Sequence, residues 1–336
     1  MRVVAYILTI VIATALMLGG TLVVAFNTPR PLTGSTLAIA LAVGAISVFI
    51  YGPVLLGSLT AYWNVRRSDD AKRYFRRFTL VVLGLDVLGV AAIILYSVIT
   101  GAPLWIPVLF IVVAAVLMVA ARLVGPWLLR RDEARPHPKD DWRPIEHREI
   151  MRKIVIIAAT FAGFLVIGLV VFGAVLQARA DLSGFGRALL TSAQFASIAS
   201  AFAGIIVSLP LNRQLRSITD RDLGLTRKFG MVVLRRKSIE LDDRETTLAT
   251  KYAAVMSVIL SFQIGYFVLL YLGLGLGQVQ SIASGRTSPF AIGLPLFLVV
   301  ALLVLVPLLV VRIRRARRYA AEHAHLLTDA PGPVAS

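Results

Sequence analysis

Long apolar runs alternate with shorter polar segments along the whole chain, and this alternation constrains the fold more than any motif does. The hydrocarbon core of a bilayer is about 30 Å thick, which an α-helix crosses with about 20 residues. A soluble domain is usually close to half apolar, whereas 58% of this chain is hydrophobic. Eight runs reach the crossing length: Val3–Phe26, Thr36–Trp63, Phe78–Thr100, Leu104–Leu129, Ile154–Gln177, Gly186–Leu211, Thr250–Gly275 and Pro289–Val311.

The eight runs predict an all-α integral membrane protein with eight transmembrane helices, because backbone polar groups in lipid must be bonded within the protein. A cleaved signal peptide is the alternative interpretation of the first run, since Arg2 precedes an apolar stretch. That stretch continues unbroken to Phe26, which is longer than the apolar part of a signal peptide. The sequence therefore favours a retained first helix.

Basic residues predict the orientation of the helices. Of the 35 Lys and Arg residues, 30 fall at the two ends of the chain and in alternate connections, and four fall in the other connections. The positive-inside rule then places both termini on the cytoplasmic side of the cell membrane. Membrane insertion thereby accounts for the net charge of +17, and no nucleic-acid partner is predicted. The basic excess on the inner face predicts contacts with anionic lipid headgroups.

The two halves of the sequence share one plan, with four apolar runs followed by an arginine pair, Arg130-Arg131 or Arg314-Arg315. Four crossings return the chain to its starting side, so we predict a tandem repeat of two parallel four-helix units. The predicted segments are a first unit (1–131), a cytoplasmic linker (132–152), a second unit (153–318) with a cytoplasmic loop (212–248), and a disordered cytoplasmic tail (319–336).

Two charged residues lie deep inside the apolar runs. Asp86 is the exception among 18 acidic residues, and Arg122 is the basic residue that lies far from the end of a run, whereas Arg187 and Lys251 are each second in theirs. A charge at the centre of a membrane helix costs about 2.5–3.5 kcal/mol on insertion scales. Asp86 comes eight positions after Phe78 and Arg122 eight positions before Arg130, and a short turn joins the two runs. We therefore predict an intramembrane ion pair. The alternatives are a proton or cation transport site at Asp86, or an Arg122 side chain that snorkels away.

The second half carries milder polarity. Gln194 and Gln263 are predicted to be buried amides that need partners, and Ser261 is the repeat counterpart of Asp86. Packing and interhelical hydrogen bonding are favoured over a substrate pocket. Four small residues recur at every fourth position of the sixth run and predict close helix packing: Ser192, Ala196, Ser200 and Gly204.

Several classes of site have no candidate residues. The chain has no cysteine, which excludes disulfides and thiolate metal sites. It has no phosphate-binding lysine loop, HExxH or GxSxG motif, and its four histidines lie outside the runs. No cofactor, metal site or enzymatic activity is predicted. The predicted function is a permease, carrier or channel-like protein with a polar site near Asp86. The alternative is a non-transporting scaffold or accessory subunit, partnered by another membrane protein or a second copy.

Overall fold

The structure, a computed structural model, describes residues 2–28, 36–65, 67–134, 144–177, 184–283, 285 and 289–328. Within these ranges the chain forms ten α-helices and one π-helical turn, and it has no β-strand. The helices are α1 (Arg2–Phe26), α2 (Thr36–Tyr62), α3 (Asp69–Thr100), α4 (Trp105–Glu133), α5 (His147–Gln177), α6 (Gly184–Ile218), α7 (Leu223–Phe229), α8 (Asp243–Ala283), α9 (Pro289–Glu322) and α10 (His325–Thr328). The π-helical turn is Gly230–Leu234.

Seven helices in the described part of the chain are long and apolar enough to cross a membrane, namely α2 to α6, α8 and α9. The architecture is therefore that of an all-α, multi-pass membrane protein. In α1, an apolar stretch is found over Val11–Phe26. The eighth crossing stays a prediction.

Capping side chains set where two of the long helices begin. The Ser68 hydroxyl accepts a hydrogen bond from the Ala71 backbone N–H (3.3 Å) and caps α3. Asp242 and Glu245 form a reciprocal capping box at α8, with the Glu245 N–H donating to Asp242 Oδ1 (2.5 Å) and the Asp242 N–H donating to Glu245 Oε2 (3.2 Å). Both helices therefore begin several residues before the apolar runs that predicted them.

Two segments outside the predicted crossings contain helix. In the tail predicted to be disordered from residue 319, α9 continues to Glu322 and α10 follows, so that start is too early. The loop 212–248 contains the end of α6, then α7 and the π-helical turn. The linker 132–152 is shortened by α4 and α5, and its residues 135–143 lie outside the described ranges, as do residues 329–336.

The chain divides into two compact units. The first comprises Met1–Lys139 with Arg221–Thr226, and the second comprises Asp140–Asp220 with Arg227–Ser336.

In the first unit, α2 lies between α3 and α4 and packs extensively against both. A Cβ atom added at Gly52 would lie 3.1 Å from Val82 Cγ1 of α3, and one added at Gly57 would lie 3.3 Å from Ala121 Cα of α4. Glycines thus bring two faces of α2 close to two different helices. In contrast, α3 and α4 touch each other much less, although they follow each other along the chain.

In the second unit, α6 packs against α5 and α8, and α9 packs against α8. A Cβ atom added at Gly168 of α5 would lie 2.7 Å from Ser192 Oγ of α6. In the first unit, α2 packs against α4. In the second unit, the last long helix, α9, packs mainly on α8. The packing therefore adds no support to the tandem repeat, which stays a sequence prediction.

Replacing Gly125 with Ala should destabilise the first unit. The added Cβ would lie 1.9 Å from Thr60 Oγ1 and 2.9 Å from the Gly57 carbonyl oxygen, so α4 must move away from α2. Overpacking of this kind typically costs about 1–3 kcal/mol. Thermal unfolding in detergent measures the effect. The matched control is Gly84→Ala in α3, where nothing lies within 4 Å of the new methyl group; equal melting temperatures for the two variants would contradict the close approach of α2 to α4.

Candidate functional site

Three buried polar atoms without partners lie along one face of α3. Thr79 Oγ1, Asp86 Oδ1 and Ser97 Oγ are buried and make no hydrogen bond within the described part of the chain. At 100° per residue, the seven residues from Thr79 to Asp86 and the eleven from Asp86 to Ser97 return to about the same side of a helix. The 18 residues from the first to the last span about 27 Å at 1.5 Å per residue. This face therefore carries a polar line almost as long as the hydrocarbon core is thick.

The two hydroxyl groups of this line lack the bond that many hydroxyls on the long helices make within their own helix, a property that they share with Ser192 and Ser200 of α6. Thr100 and Thr160 donate to the carbonyl oxygen four residues earlier, at 2.7 and 2.8 Å. Ser47 does the same at 2.7 Å. That bond is the usual way for a hydroxyl to be satisfied in a membrane helix. Thr79 and Ser97 lack this bond.

A glycine of α2 lies opposite Asp86. A Cβ atom at Gly52 would be 3.6 Å from Asp86 Oδ1, so the missing side chain lets α2 lie directly over the carboxyl group. One turn along α3, the ring of Phe49 fills the space beside Gly89, where a Cβ would lie 2.9 Å from Phe49 Cε1. Asp86 is thus half-buried, and its Oδ1 atom faces an apolar helix with no donor.

Arg122 does not neutralise Asp86. Its side chain is exposed, whereas its neighbour Ala121 and the residue one turn on, Gly125, face α2. No ion pair between Arg122 and Asp86 occurs among the contacts of the described residues. The physical reason is that α2 lies between α3 and α4, so helices joined by a short turn are not neighbours at this depth. The predicted ion pair is therefore not formed in the structure.

A second buried carboxylate provides the contrast. Asp222 is 6% exposed and belongs to the first unit. Its Oδ1 atom accepts hydrogen bonds from the Ser68 hydroxyl (2.9 Å) and from the Gly224 backbone N–H (2.7 Å). A partnered carboxylate such as this one holds two segments together. The sequence did not single out Asp222, because its partner Ser68 lies 154 residues away.

The small residues of the sixth run are buried inside the second unit. Ser192, Ala196 and Ser200 have no exposed surface, and Gly204 lies against Tyr266, whose Cβ would be 3.2 Å from an added methyl group. Two of the hydroxyls, Ser192 Oγ and Ser200 Oγ, have no hydrogen-bond partner among the described residues. The stripe is thus in contact with helices of its own unit.

The polar residues of α6 and α8 are half-buried. The Gln194 amide lies beside Gly277, where an added Cβ would be 2.6 Å from its Nε2 atom. Gln263 is partly buried, and the Ser261 hydroxyl donates to the Ser257 carbonyl oxygen (2.9 Å). The amide that bonds between the helices is a different one, Gln280, whose Nε2 donates to Thr191 Oγ1 at 2.9 Å. The sequence offered no signal for this pair, because it depends on the helix register.

No metal-binding cluster is present in the described ranges, where no three His, Asp or Glu side chains come together. The candidate site is therefore the polar face of α3. A periodicity of 3.6 residues would have linked Thr79 and Ser97 to Asp86 from the sequence, since 18 residues make five turns.

Replacing Arg122 with Gln should change the unfolding free energy by less than about 0.5 kcal/mol, because exposed side chains without partners contribute little. If the guanidinium paired with Asp86, its removal would leave a buried charge unpaired and cost about 3–5 kcal/mol. Chemical denaturation in detergent separates the two outcomes. Arg73→Gln, at an exposed position of α3, is the matched control.

Comparison with known proteins gives no assignment: no family model matches the chain, and neither the curated proteins nor the solved structures include a match.

Proposed function

We propose that this chain is a cell-membrane carrier or channel-like protein in which Asp86 takes up and releases a proton. The observation that carries the proposal is the buried Oδ1 atom of Asp86, which has no donor or counter-ion among the described residues. An isolated carboxylate in an apolar environment strongly disfavours its charged form. Binding a proton removes the charge. The carboxyl group therefore alternates between its ionised and protonated forms as water enters and leaves its surroundings.

A proton fits this site better than a metal cation does. A cation such as Ca²⁺ takes six to eight oxygen ligands. Asp86 Oδ1 instead lies opposite Gly52 of α2, where the Val82 side chain of α3 also lies. The described ranges hold no cluster of carboxylates and imidazoles that would complete such a shell. A proton needs one oxygen atom only.

The hydroxyls of Thr79 and Ser97 support a path along α3. Both are buried without partners on the face that carries Asp86, so each can donate to or accept from a water molecule entering the contact between α2 and α3. The intervals of seven and eleven residues are too long for direct transfer between side chains, at about 10 and 16 Å. Water molecules must therefore bridge them while the site conducts.

The charge distribution supports the orientation used in this proposal. Basic residues concentrate in alternate connections, and the positive-inside rule assigns those connections and both termini to the cytoplasm. A scaffold function gains less support. The small-residue stripe of α6 that would serve as a contact face is already covered by α5 and α8.

Proton flux into liposomes tests the proposal directly. The purified full chain is reconstituted with a pH-sensitive dye inside, and a potassium gradient with valinomycin supplies the driving potential. Wild-type protein should lower or raise the pH inside the liposomes, according to the sign of the membrane potential. Asp86→Asn, which keeps the shape but cannot exchange a proton, should reduce the flux to that of protein-free liposomes.

Two further variants locate the path. Thr79→Val and Ser97→Ala should each slow the flux, because each removes a hydroxyl from the line. Thr160→Val is the matched control, since its hydroxyl already bonds to Ile156 within α5, and it should conduct like wild type. Equal flux through wild type and Asp86→Asn, with both proteins monodisperse in size-exclusion chromatography, would refute the proposal.

A further inference from the structure

Six basic residues come together where the π-helical turn meets α9, and we call them the arginine cluster. Arg315 Nη1 donates a hydrogen bond to the Leu234 carbonyl oxygen (3.0 Å), which brings the end of the π-helical turn against α9. The π-helical turn contacts α9, and Val233 of the turn and Ala316 of α9 are both buried. The arginine cluster consists of Arg235, Arg236, Lys237, Arg312, Arg314 and Arg315.

The backbone conformation exposes the side chains of Arg235, Arg236 and Lys237. The Lys237 N–H donates to the Met231 carbonyl oxygen (3.0 Å) and closes the turn. Arg236 takes the left-handed conformation, with φ of 54°, at a position after a helix end where glycine is usual. Arg235, Arg236 and Lys237 are all exposed as a result.

No carboxylate in the described ranges neutralises the arginine cluster. Two nearby acids are already paired, Glu245 with Lys228 (2.6 Å) and Glu322 with Arg318 (2.7 Å), and Glu240, three residues after Lys237, makes no ion pair within the described part of the chain. Like charges held together beside an apolar surface repel each other more strongly than in open water, because both screening and dielectric constant are lower there. An anion that binds between them removes this repulsion.

The surface next to the arginine cluster is suited to an acyl chain. Along α9, the exposed side chains of Val304, Leu308 and Val311 follow each other at intervals of four and three residues, which places them on one helical face. Arg314 and Arg315 come three and four residues after Val311, so the same face changes from apolar to basic within one turn. That change matches the boundary between lipid tails and headgroups.

We propose that the arginine cluster binds the phosphate of an anionic lipid headgroup, with the acyl chains of the lipid lying along Val304, Leu308 and Val311. Guanidinium groups match phosphate oxygens with two parallel hydrogen bonds. The cluster supplies several such donors at one level of the helix. This site is independent of Asp86 and of proton movement.

Lipid retention in mild detergent tests this site on the full chain. Phosphatidylglycerol or phosphatidylcholine is titrated into the purified protein, and bound lipid is counted by native mass spectrometry while the melting temperature is recorded. Wild type should retain phosphatidylglycerol and melt higher with it. The variant R235A/R236A/R314A should bind phosphatidylglycerol roughly 100-fold more weakly, from the usual contribution of three basic side chains near anionic lipid.

The matched control removes three exposed arginines of α3, in R73A/R76A/R77A, which the charge pattern places on the same side of the membrane. It should retain phosphatidylglycerol like wild type. Equal losses in both variants would show a general surface-charge effect and overturn the proposal, as would equal retention of phosphatidylcholine. A melting-temperature rise with inorganic phosphate as large as that with the lipid would assign the cluster to a soluble anion, and would overturn it too.

If the triple variant does not purify as a monodisperse protein, R235Q/R314Q takes its place, since both side chains are exposed. It should weaken phosphatidylglycerol binding by more than tenfold, by the same contribution for two side chains. Unchanged binding in this variant overturns the proposal.

Discussion

The close approach of α2 to α3 and α4 is the contact on which the first unit depends. In lipid, apolar side chains gain little by leaving one hydrocarbon environment for another, so helices associate mainly through tight packing and polar contacts. Gly52, Gly57 and Gly125 provide the tight packing, because each lacks the Cβ atom that would hold two helices apart. The order in which the helices pack follows from these three positions rather than from the order along the chain.

This arrangement determines the surroundings of Asp86. With α2 between them, α3 and α4 keep Asp86 and Arg122 apart, and the carboxyl group faces a glycine instead of a cation. The same face of α3 leaves two hydroxyls unsatisfied. Asp222 has the partners that Asp86 lacks. One chain therefore contains a carboxylate that holds segments together and another whose buried Oδ1 atom has no hydrogen-bond partner among the described residues.

Sequence reasoning predicted the elements better than their packing. Run lengths located the seven long apolar helices, because bilayer thickness sets the length of a crossing. The separation of Arg122 from Asp86 could not be predicted in this way, since chain order says little about which helices touch. The predicted start of the disordered tail at residue 319 is too early, because α9 continues to Glu322.

The length of α8 has a consequence for the exterior of the protein. Its 41 residues extend about 62 Å, twice the thickness of the hydrocarbon core. Tilting alone does not absorb such an excess, so part of the helix stands in water. At the end remote from the arginine cluster, Gln280 of α8 bonds to Thr191 of α6. The pairing of α8 with α6 therefore continues past Gly275, where the apolar run of α8 ends.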